Sequence, residues 1–397
     1  MMLSTNYPPA TRGKLVLWGL LGSSPFGGMI WQVLHYLVGF RRLGFDVWYV
    51  EDSDKYVYDP VTYWPTRECG PNVELLSKYM KSVGLGDRWV FRPPEVEDEC
   101  LGATNMAGLA QLYREADAVF NLCGSQELLP RHANIPCLVY VQTDPVPEQV
   151  WVASGDQTMM SFLDAFHYLF TYGENLGAKD CPVPMGRYRW EPTKPPVCMD
   201  WWRHEGPPPK GAALTTIANL KHTDKDVLWK GETWHWSKHL EFQKFITLPT
   251  RSSLPLAIAL GSNGGLESAI RLNGWGIIPS GNVADPESYR RFIWESGGEF
   301  TVAKGQYVHT RSGWFSDRSV CYLASGRPVI TQDTGFGKFV PTGKGLFAFS
   351  NEDEALAAID AVSQDYSTHS AAARDIAAEF FDAKPVLEKM LSHIGLL

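Results

Sequence analysis

TRSGWFSDRSVCYLASGRPVITQDTG, residues 310–335, has the layout of a phosphate-binding corner in an α/β domain. A polar, glycine-containing loop leads into a predicted helix over 317–324, which Gly326 ends. A buried strand is predicted over 328–330, and it leads into a second polar loop over 332–335. Helix N-termini offer free backbone N–H groups and the positive end of a dipole, and glycines let a ligand approach the backbone. The stretch therefore predicts a diphosphate site at the start of the helix.

Nine residues of this corner are the predicted binders of the phosphorylated ligand. Arginines form charge-assisted hydrogen bonds with phosphate, and hydroxyl and backbone N–H groups add neutral ones. The predicted binders are Arg311, Ser312, Gly313, Ser316, Asp317, Arg318, Ser319, Thr334 and Gly335.

The N-terminal part of the chain begins with a predicted strand-helix-strand unit. A strand is predicted over 14–20, a helix over 29–42 and a second strand over 45–50. The helix carries Val33, Leu34, Leu37 and Val38 at helical spacing, which gives one apolar stripe. A β-α-β start favours a parallel, doubly wound sheet, so the fold class is α/β.

Polar residues follow three further predicted strands, over 118–122, 137–141 and 168–171. Ligands of open parallel sheets lie beyond the carboxyl ends of the strands, so these residues are expected to line one cleft. Asp144, after the second of these strands, is a predicted general base, because such a group must reach an acceptor hydroxyl. The alternative is an Asp-Pro turn in which Asp144 caps its own backbone.

Glu174 and Asn175 follow the third of these strands and are predicted to bind hydroxyl groups of an acceptor substrate or of a sugar. The loop 21–28, which follows the first strand, contains Gly27 and Gly28 as two further predicted contacts of that substrate. A plain tight turn is the alternative for this loop.

The strand pattern restarts at residue 212, after a segment over 181–211 that is rich in proline and tryptophan. We therefore predict a first Rossmann-like domain over 1–205, a second over 206–375 and a final helical segment over 376–397.

Composition describes an ordinary globular protein of 397 residues with 44% hydrophobic and 20% charged residues. The net charge of −8 argues against a nucleic-acid partner, although it does not exclude nucleic acid as an acceptor. The seven cysteines are widely spaced without a CxxC pair, which favours reduced thiols. With neither a signal-peptide core nor a run of about 18 apolar residues, a cytoplasmic protein without a membrane span is expected.

The run YLASGRPV, residues 322–329, resembles the "E-A-x-A-C-G-K-P-V" run in the donor domain of GT-B glycosyltransferases, the family 4-like members most of all. Asp333-Thr334-Gly335 also matches, and Gly27-Gly28 fits the glycine pair at which such enzymes begin their first helix. The resemblance covers both domains in layout and is sharp over about 30 residues.

The resemblance implies a GT-B fold, two Rossmann-like domains facing a cleft, with the last helix crossing back to the first domain. It also implies that the first domain, over 1–205, binds the acceptor. It implies transfer of a sugar from a nucleotide sugar, most simply a UDP-sugar such as UDP-glucose, to an unidentified acceptor without a metal or other cofactor. Asn219 and Lys221 follow a predicted strand of the second domain, where such enzymes place groups that bind the donor phosphate. Lys230-Gly231 is similar to the later "K-G" of family 4.

The chain departs from the family 4 pattern at two positions. That pattern has one glutamate near the sugar and a second near the ribose, and these positions hold Gly313 and Cys321. Asp317 is the only nearby acid, so we expect it to take over a catalytic role as well as donor binding. A non-catalytic protein that binds a sugar or nucleotide sugar is the alternative that this departure supports.

Two motifs of the first domain allow other interpretations. The loop 22–28, with Glu51 or Asp52 on a ribose, resembles a dinucleotide-binding turn, but its spacing is not G-x-G-x-x-G and Pro25 interrupts it. No tyrosine has a lysine four residues later, as a dehydrogenase-type couple would require. Asp52-Ser53-Asp54 resembles a metal-binding DxD, a pattern that arises often by chance, and no metal site is predicted.

Overall fold

The computed structural model describes residues 6–96, 98–204, 206–222 and 225–397, and it contains two large sheets. The first sheet has eight strands in the order β10-β9-β8-β7-β1-β2-β5-β6, all parallel except the pair β5 and β6. Its strands are β1 (Lys14–Trp18), β2 (Asp46–Glu51), β5 (Trp89–Phe91), β6 (Leu101–Gly102), β7 (Ala118–Leu122), β8 (Leu138–Gln142), β9 (Tyr168–Thr171) and β10 (Glu191–Pro192).

The second sheet has six parallel strands in the order β15-β14-β11-β16-β17-β18. Its strands are β11 (Leu214–Ala218), β14 (Leu256–Leu260), β15 (Gly276–Pro279), β16 (Gly298–Thr301), β17 (Val329–Gln332) and β18 (Leu346–Phe349). Two antiparallel hairpins lie outside these sheets. They are β3 (Val57–Tyr58) with β4 (Pro65–Thr66), and β12 (Val227–Trp229) with β13 (Glu232–Trp234).

Helices connect the strands and cover the sheets. The helices are α1 (Gly27–Arg42), α2 (Gly70–Ser82), α3 (Met106–Glu115), α4 (Pro147–Ala153), α5 (Gln157–Asp164), α6 (Met199–Trp202), α7 (His239–Gln243), α8 (Glu267–Leu272), α9 (Pro286–Glu295), α10 (Gly305–Thr310), α11 (Asp317–Ala324), α12 (Glu352–Gln364), α13 (Tyr366–Phe380) and α14 (Ala383–His393). Within the described ranges, every helix is too short or too polar to cross a membrane.

Both sheets are doubly wound, as the strand-helix-strand pattern predicts. Each contains six strands whose chain order across the sheet is 3-2-1-4-5-6, so each reverses direction beside its first strand. In the first sheet this switch point lies between β1 and β7, and in the second it lies between β11 and β16. Loops at the carboxyl ends of these strands form the crevice in which such sheets bind ligands.

The segment 181–211 does more than connect the domains. Within it β10 adds a parallel strand beside β9, and α6 buries Trp201 and Trp202 in the core that α1 helps to form. The predicted boundaries at 205 and 375, and the predicted return of the last helix to the first domain, stay predictions. In the structure α14 packs on α1, where a side chain at Gly39 would meet Leu387.

The start of α1 is an interdomain contact. The backbone N–H of Gly27 donates to the carbonyl of Ala284 at 2.6 Å, and Trp31 Nε1 donates to the carbonyl of Pro286 at 3.0 Å. A Cβ added to Gly27 would lie 2.9 Å from Tyr289 Cβ and 3.0 Å from the Val283 carbonyl oxygen, which is closer than such atoms approach. Glycine is therefore required here because the second domain packs against it.

We predict that Gly27→Ala lowers the free energy of unfolding by about 1–3 kcal/mol, because the added methyl group overlaps backbone of the second domain. Chemical denaturation measures this. Gly28→Ala is the matched control, since its Cβ would make only ordinary contacts of 3.5–3.7 Å with Tyr289. Equal stability of the two variants would contradict this explanation of the glycine pair.

Candidate functional site

The carboxyl ends of the two sheets face each other, and an ion pair joins them across the cleft. Asp144 follows β8 of the first domain, and its Oδ1 accepts a hydrogen bond from Lys304 Nζ of the second domain at 2.7 Å. The hydroxyl of Tyr307 donates to the same oxygen. Lys304 follows β16 and precedes α10, so the pair lies beside the switch point of the second sheet.

Lysine side chains gather around this pair. Lys304 Nζ lies 3.0 Å from the centroid of the Trp236 ring, and Lys225 Nζ lies 4.9 Å from the same centroid. Burial lowers the pKa of Lys304 to about 8, against the pull of Asp144. Burial opposes ionisation of Asp144 too, but Lys304 and Lys225 outweigh it and hold the Asp144 pKa below its ordinary value.

Lys238 is the unusual member of this group. It immediately precedes α7, it is only 8% exposed, and it has no hydrogen-bond or ion-pair partner in the described part of the chain. Burial lowers its pKa well below the usual range, and the positive charges of Arg318 and Lys304 lower it further. The cleft therefore contains a largely buried lysine whose amino group forms no hydrogen bond or ion pair with the described protein groups.

Arg318, from the predicted donor loop, lies at the floor of the same region. Its Nε donates to Glu299 at 2.5 Å, its Nη1 to the carbonyl of Ile217 at 2.8 Å and its Nη2 to the hydroxyl of Thr301 at 2.9 Å. A guanidinium has five N–H groups, so these three bonds leave two. Glu299 is fully buried, and its Oε2 lacks a partner among the described residues.

Asp317 opens α11, as predicted, and sits at the boundary between the domains. Burial raises its pKa from 3.8 to about 6, with hydrogen bonds from Gln32 and Tyr172 opposing that rise. The Tyr172 hydroxyl lies 3.4 Å from Asp317 Oδ1 and 2.9 Å from the hydroxyl of Tyr36, so both domains surround the carboxyl group.

Arg311 and Asn175 join the domains at one side of the cleft. Arg311 bridges Asp180 at 3.2 Å and Asp333 at 3.0 Å. Asn175 donates to the Arg311 carbonyl at 2.7 Å and accepts from Lys338 Nζ at 3.0 Å. The two ion pairs direct the Arg311 side chain to protein carboxylates, and the bonds of Asn175 use both its amide nitrogen and its oxygen. Donor binding by Arg311 and acceptor binding by Asn175 stay predictions.

The rest of the predicted donor loop folds on itself. The N–H of Gly313 donates to the Thr334 carbonyl at 2.7 Å, and Gly335 N–H donates to Asp333 at 2.8 Å. Ser316 precedes α11, where its side chain makes no capping bond. The hydroxyls of Ser312 and Ser319 are buried without a partner in the described ranges.

Other predicted residues lie away from the lysine group. Asn219 accepts from the Ser262 N–H at 2.9 Å, and Lys221 is exposed. Glu174 pairs with Lys194. A Cβ added to Gly27 or Gly28 would meet Tyr289, so neither glycine faces open space.

The family-like "K-G" at Lys230 lies at the turn between β12 and β13, while the buried lysine that precedes a helix is Lys238. Lys225, Lys238, Lys304 and Glu299 were not predicted as site residues. Two features of the sequence could have indicated such a role. Lys304 follows an apolar strand, and Lys238 precedes a short helix.

The two acidic residues behind β2 are engaged in the first domain. Asp52 is buried and accepts from Arg92 at 2.8 Å, from Arg131 at 2.7 Å and from His132 at 2.8 Å. Glu51 accepts from the N–H groups of the loop 21–28, and that loop therefore has no free ribose-binding carboxylate. Within the described ranges, no group of three histidine, cysteine or acidic side chains is arranged to hold a metal ion.

No protein-family model matches the chain, and a search of curated proteins found no match. Solved structures do match over nearly the whole chain. An alpha-glucosyltransferase in complex with UDP and a 13-mer DNA containing a HMU base matches with a TM-score of 0.59 and 10% identity over 96% of this chain and 99% of that one. Sucrose-phosphate synthase from Thermosynechococcus elongatus matches with a TM-score of 0.54 and 11% identity over 96% and 98%.

Anabaena HepE in complex with UDP matches with a TM-score of 0.54 and 14% identity over 97% of this chain and 100% of that one. The predicted GT-B fold is confirmed: two parallel Rossmann-like sheets of eight and six strands match structures of that fold.

We predict that Asp317→Asn raises the free energy of unfolding, and by about 1 kcal/mol more at pH 8 than at pH 5. The folded protein holds the proton of Asp317 up to about pH 6, whereas the unfolded chain releases it near 3.8. The wild-type protein therefore loses stability as the pH rises through this window. The Asp317→Asn variant does not, because an asparagine side chain does not titrate. Urea denaturation at the two pH values measures the difference, and a gain that does not depend on pH would contradict the raised pKa.

Proposed function

We propose that the protein is a glycosyltransferase that takes a sugar from a UDP-linked donor and passes it to an acceptor hydroxyl, with Lys238 as a principal ligand of the diphosphate. The largely buried Lys238, whose amino group has no hydrogen-bond or ion-pair partner among the described residues, is the observation that carries the proposal. A buried charge without a partner is costly, so such a group persists where a ligand of opposite charge completes it.

The position of Lys238 favours a diphosphate as that ligand. It lies close enough to Arg318 and Lys304 for their positive charges to lower its pKa, and all three flank the carboxyl ends of β11 and β16. Three cations converging at a switch point form a site for an anion with more than one negative charge. The UDP in the alpha-glucosyltransferase and HepE structures makes UDP the first candidate.

The same cations would stabilise the diphosphate as the leaving group. As the bond between sugar and diphosphate breaks, negative charge grows on the leaving phosphate, and fixed positive groups lower the energy of that state. Lys238, Lys304 and the two free N–H groups of Arg318 would do this without a metal ion. The hydroxyls of Ser312 and Ser319 would add neutral hydrogen bonds.

Asp317 suits the role of acceptor base better than Asp144 does. A general base works best when its pKa lies near the working pH, and burial brings that of Asp317 to about 6. Asp144 is held by Lys304 and Tyr307, which favour its ionised form and occupy one oxygen. We therefore assign proton removal from the acceptor to Asp317, and positioning of Lys304 to Asp144.

We predict that Lys238→Met abolishes the rise in melting temperature that UDP or UDP-glucose causes in the wild-type protein, measured in EDTA. The variant itself should be as stable as the wild type or more stable by about 1 kcal/mol, because an unpaired buried charge is removed. Lys230→Met is the matched control, since Lys230 is exposed at the turn between β12 and β13, and it should respond like the wild type.

Three outcomes of that measurement are decisive. No stabilisation of the wild type by any nucleotide or nucleotide sugar would reject the donor site. A wild-type response that Lys238→Met keeps would reject the role of Lys238. Stabilisation without release of UDP from UDP-glucose, over long incubation with varied acceptors, would indicate a binding protein rather than an enzyme.

We predict that the affinity for UDP falls as the pH rises above 8. The Lys304 ammonium has a pKa of about 8 before the ligand arrives, so at higher pH binding must first take up a proton. The dissociation constant should then increase by up to about tenfold per pH unit. Isothermal titration at pH 7, 8 and 9 tests this, with Lys304→Met as the variant that binds more weakly and depends less on pH above 8.

A further inference from the structure

The exposed aromatic side chains of this protein are concentrated in one short stretch. The chain has 15 tryptophans, 16 tyrosines and 19 phenylalanines, all of them within the described ranges. Only four are exposed, and they lie within nine residues: Tyr56 (50%), Tyr58 (41%), Tyr63 (41%) and Trp64 (75%). We call residues 56–67, which include β3 and β4, the aromatic hairpin. Such a cluster on an otherwise polar surface marks a binding site.

The backbone of the aromatic hairpin is held in one conformation. The Asp59 carboxylate accepts from the N–H groups of Val61 at 2.9 Å and Thr62 at 2.6 Å, and the Asp59 N–H donates to the Trp64 carbonyl at 3.0 Å. Rings on a fixed turn lose little freedom on binding, which favours stacking with a ligand.

The aromatic hairpin is attached to the loop that borders the cleft. The Tyr58 N–H donates to the Ser23 carbonyl at 2.8 Å, and Asn72 Nδ2 donates to the carbonyls of Gly22 at 2.7 Å and Tyr58 at 2.9 Å. Gly22 and Ser23 belong to the loop 21–28, which leaves the carboxyl end of β1 beside the switch point of the first sheet. The Phe26 ring, at the end of that loop, lies 5.6 Å from the ring of Tyr63. The exposed rings therefore continue the cleft on the first-domain side.

The charges around the aromatic hairpin favour an uncharged occupant. Arg67 pairs with Glu95 and donates to the Tyr56 hydroxyl at 2.6 Å, and Lys55 pairs with Glu127 at 3.5 Å. Both cations are therefore neutralised by carboxylates of the protein, whose net charge is −8. A polyanion such as nucleic acid needs free cations for affinity, so this surface does not suit one.

We propose that the aromatic hairpin is the acceptor subsite and that it binds a neutral oligosaccharide, whose sugar rings stack on Trp64, Tyr63 and Tyr56. Sugar rings offer hydroxyl groups at the edge and C–H groups on the faces, and tyrosine and tryptophan combine a large apolar ring with a polar group that suits both. The inference rests on the proposed function, because it names the acceptor class of the same transfer. The enzyme then extends or decorates a glycan chain.

The test measures binding of four probes, maltohexaose, cellohexaose, xylohexaose and chitohexaose, by isothermal titration calorimetry. We expect at least one of them to bind the wild type, with affinity weakened about tenfold or more in Trp64→Ala and also reduced in Tyr56→Ala. Leu272→Ala is the matched control, because Leu272 is 86% exposed on α8 of the second domain and its loss should change nothing. Stabilisation by UDP should be the same in all four proteins.

The outcomes separate this inference from the proposed function. Failure of all four probes to bind, or equal binding by Trp64→Ala and the wild type, with UDP stabilisation intact, overturns the acceptor subsite alone. If UDP does not raise the melting temperature of the wild type, the proposed function is overturned. Two other outcomes would also overturn the inference, because they assign the aromatic hairpin to a different partner. One is binding of a single-stranded 20-mer DNA that Trp64→Ala abolishes, and the other is a dimer in solution that Trp64→Ala abolishes.

Discussion

The burial of Lys238 among other cations is the constraint that orders the rest of the cleft. Each of the other cations there has a nearby anion: Arg318 has Glu299, Lys304 has Asp144, and Lys225 has the charges of Asp144 and Glu148. Lys238 forms no hydrogen bond or ion pair within the described residues, and burial together with the charges of Arg318 and Lys304 outweighs the attraction of Glu299 and Asp144, so that its pKa is lowered. A fold keeps such a group only if the surrounding structure is stable enough to hold it, and a hydrophobic core that spans both domains provides that stability.

The contacts between the domains keep the cations in place. The Asp144–Lys304 pair, the hydrogen bond from Gly27 to Ala284 and the Arg311 bridge between Asp180 and Asp333 connect the two sheets at separate points. Fixed charges need no reorganisation when negative charge develops on a leaving group, which is why a preorganised cleft is effective in catalysis. The two domains thus act as one unit around the proposed diphosphate position.

Much of the architecture could be predicted from local sequence. Helix α11 begins and ends where Asp317 and Gly326 indicate, and the strand-helix alternation predicts the two parallel sheets, because apolar runs and glycine stops depend on nearby residues alone. The site was harder to predict. Lys238 and Lys304 are far apart in the sequence, and the segment before Lys238 meets the start of α10 only in the fold, through backbone hydrogen bonds from Gly305 to Ser237 and from Gln306 to His235. The sequence predicts Arg311 as a phosphate ligand. In the structure Arg311 pairs with Asp180, which lies 131 residues earlier in the chain, and with Asp333 of the neighbouring polar loop.

A crystal structure of the protein with UDP tests the central claim most directly. The account predicts the diphosphate between β11 and β16, with Lys238 Nζ within about 3 Å of a phosphate oxygen and Arg318 donating one of its two free N–H groups to it. UDP bound elsewhere, or a Lys238 side chain that stays away from the phosphates, would contradict it.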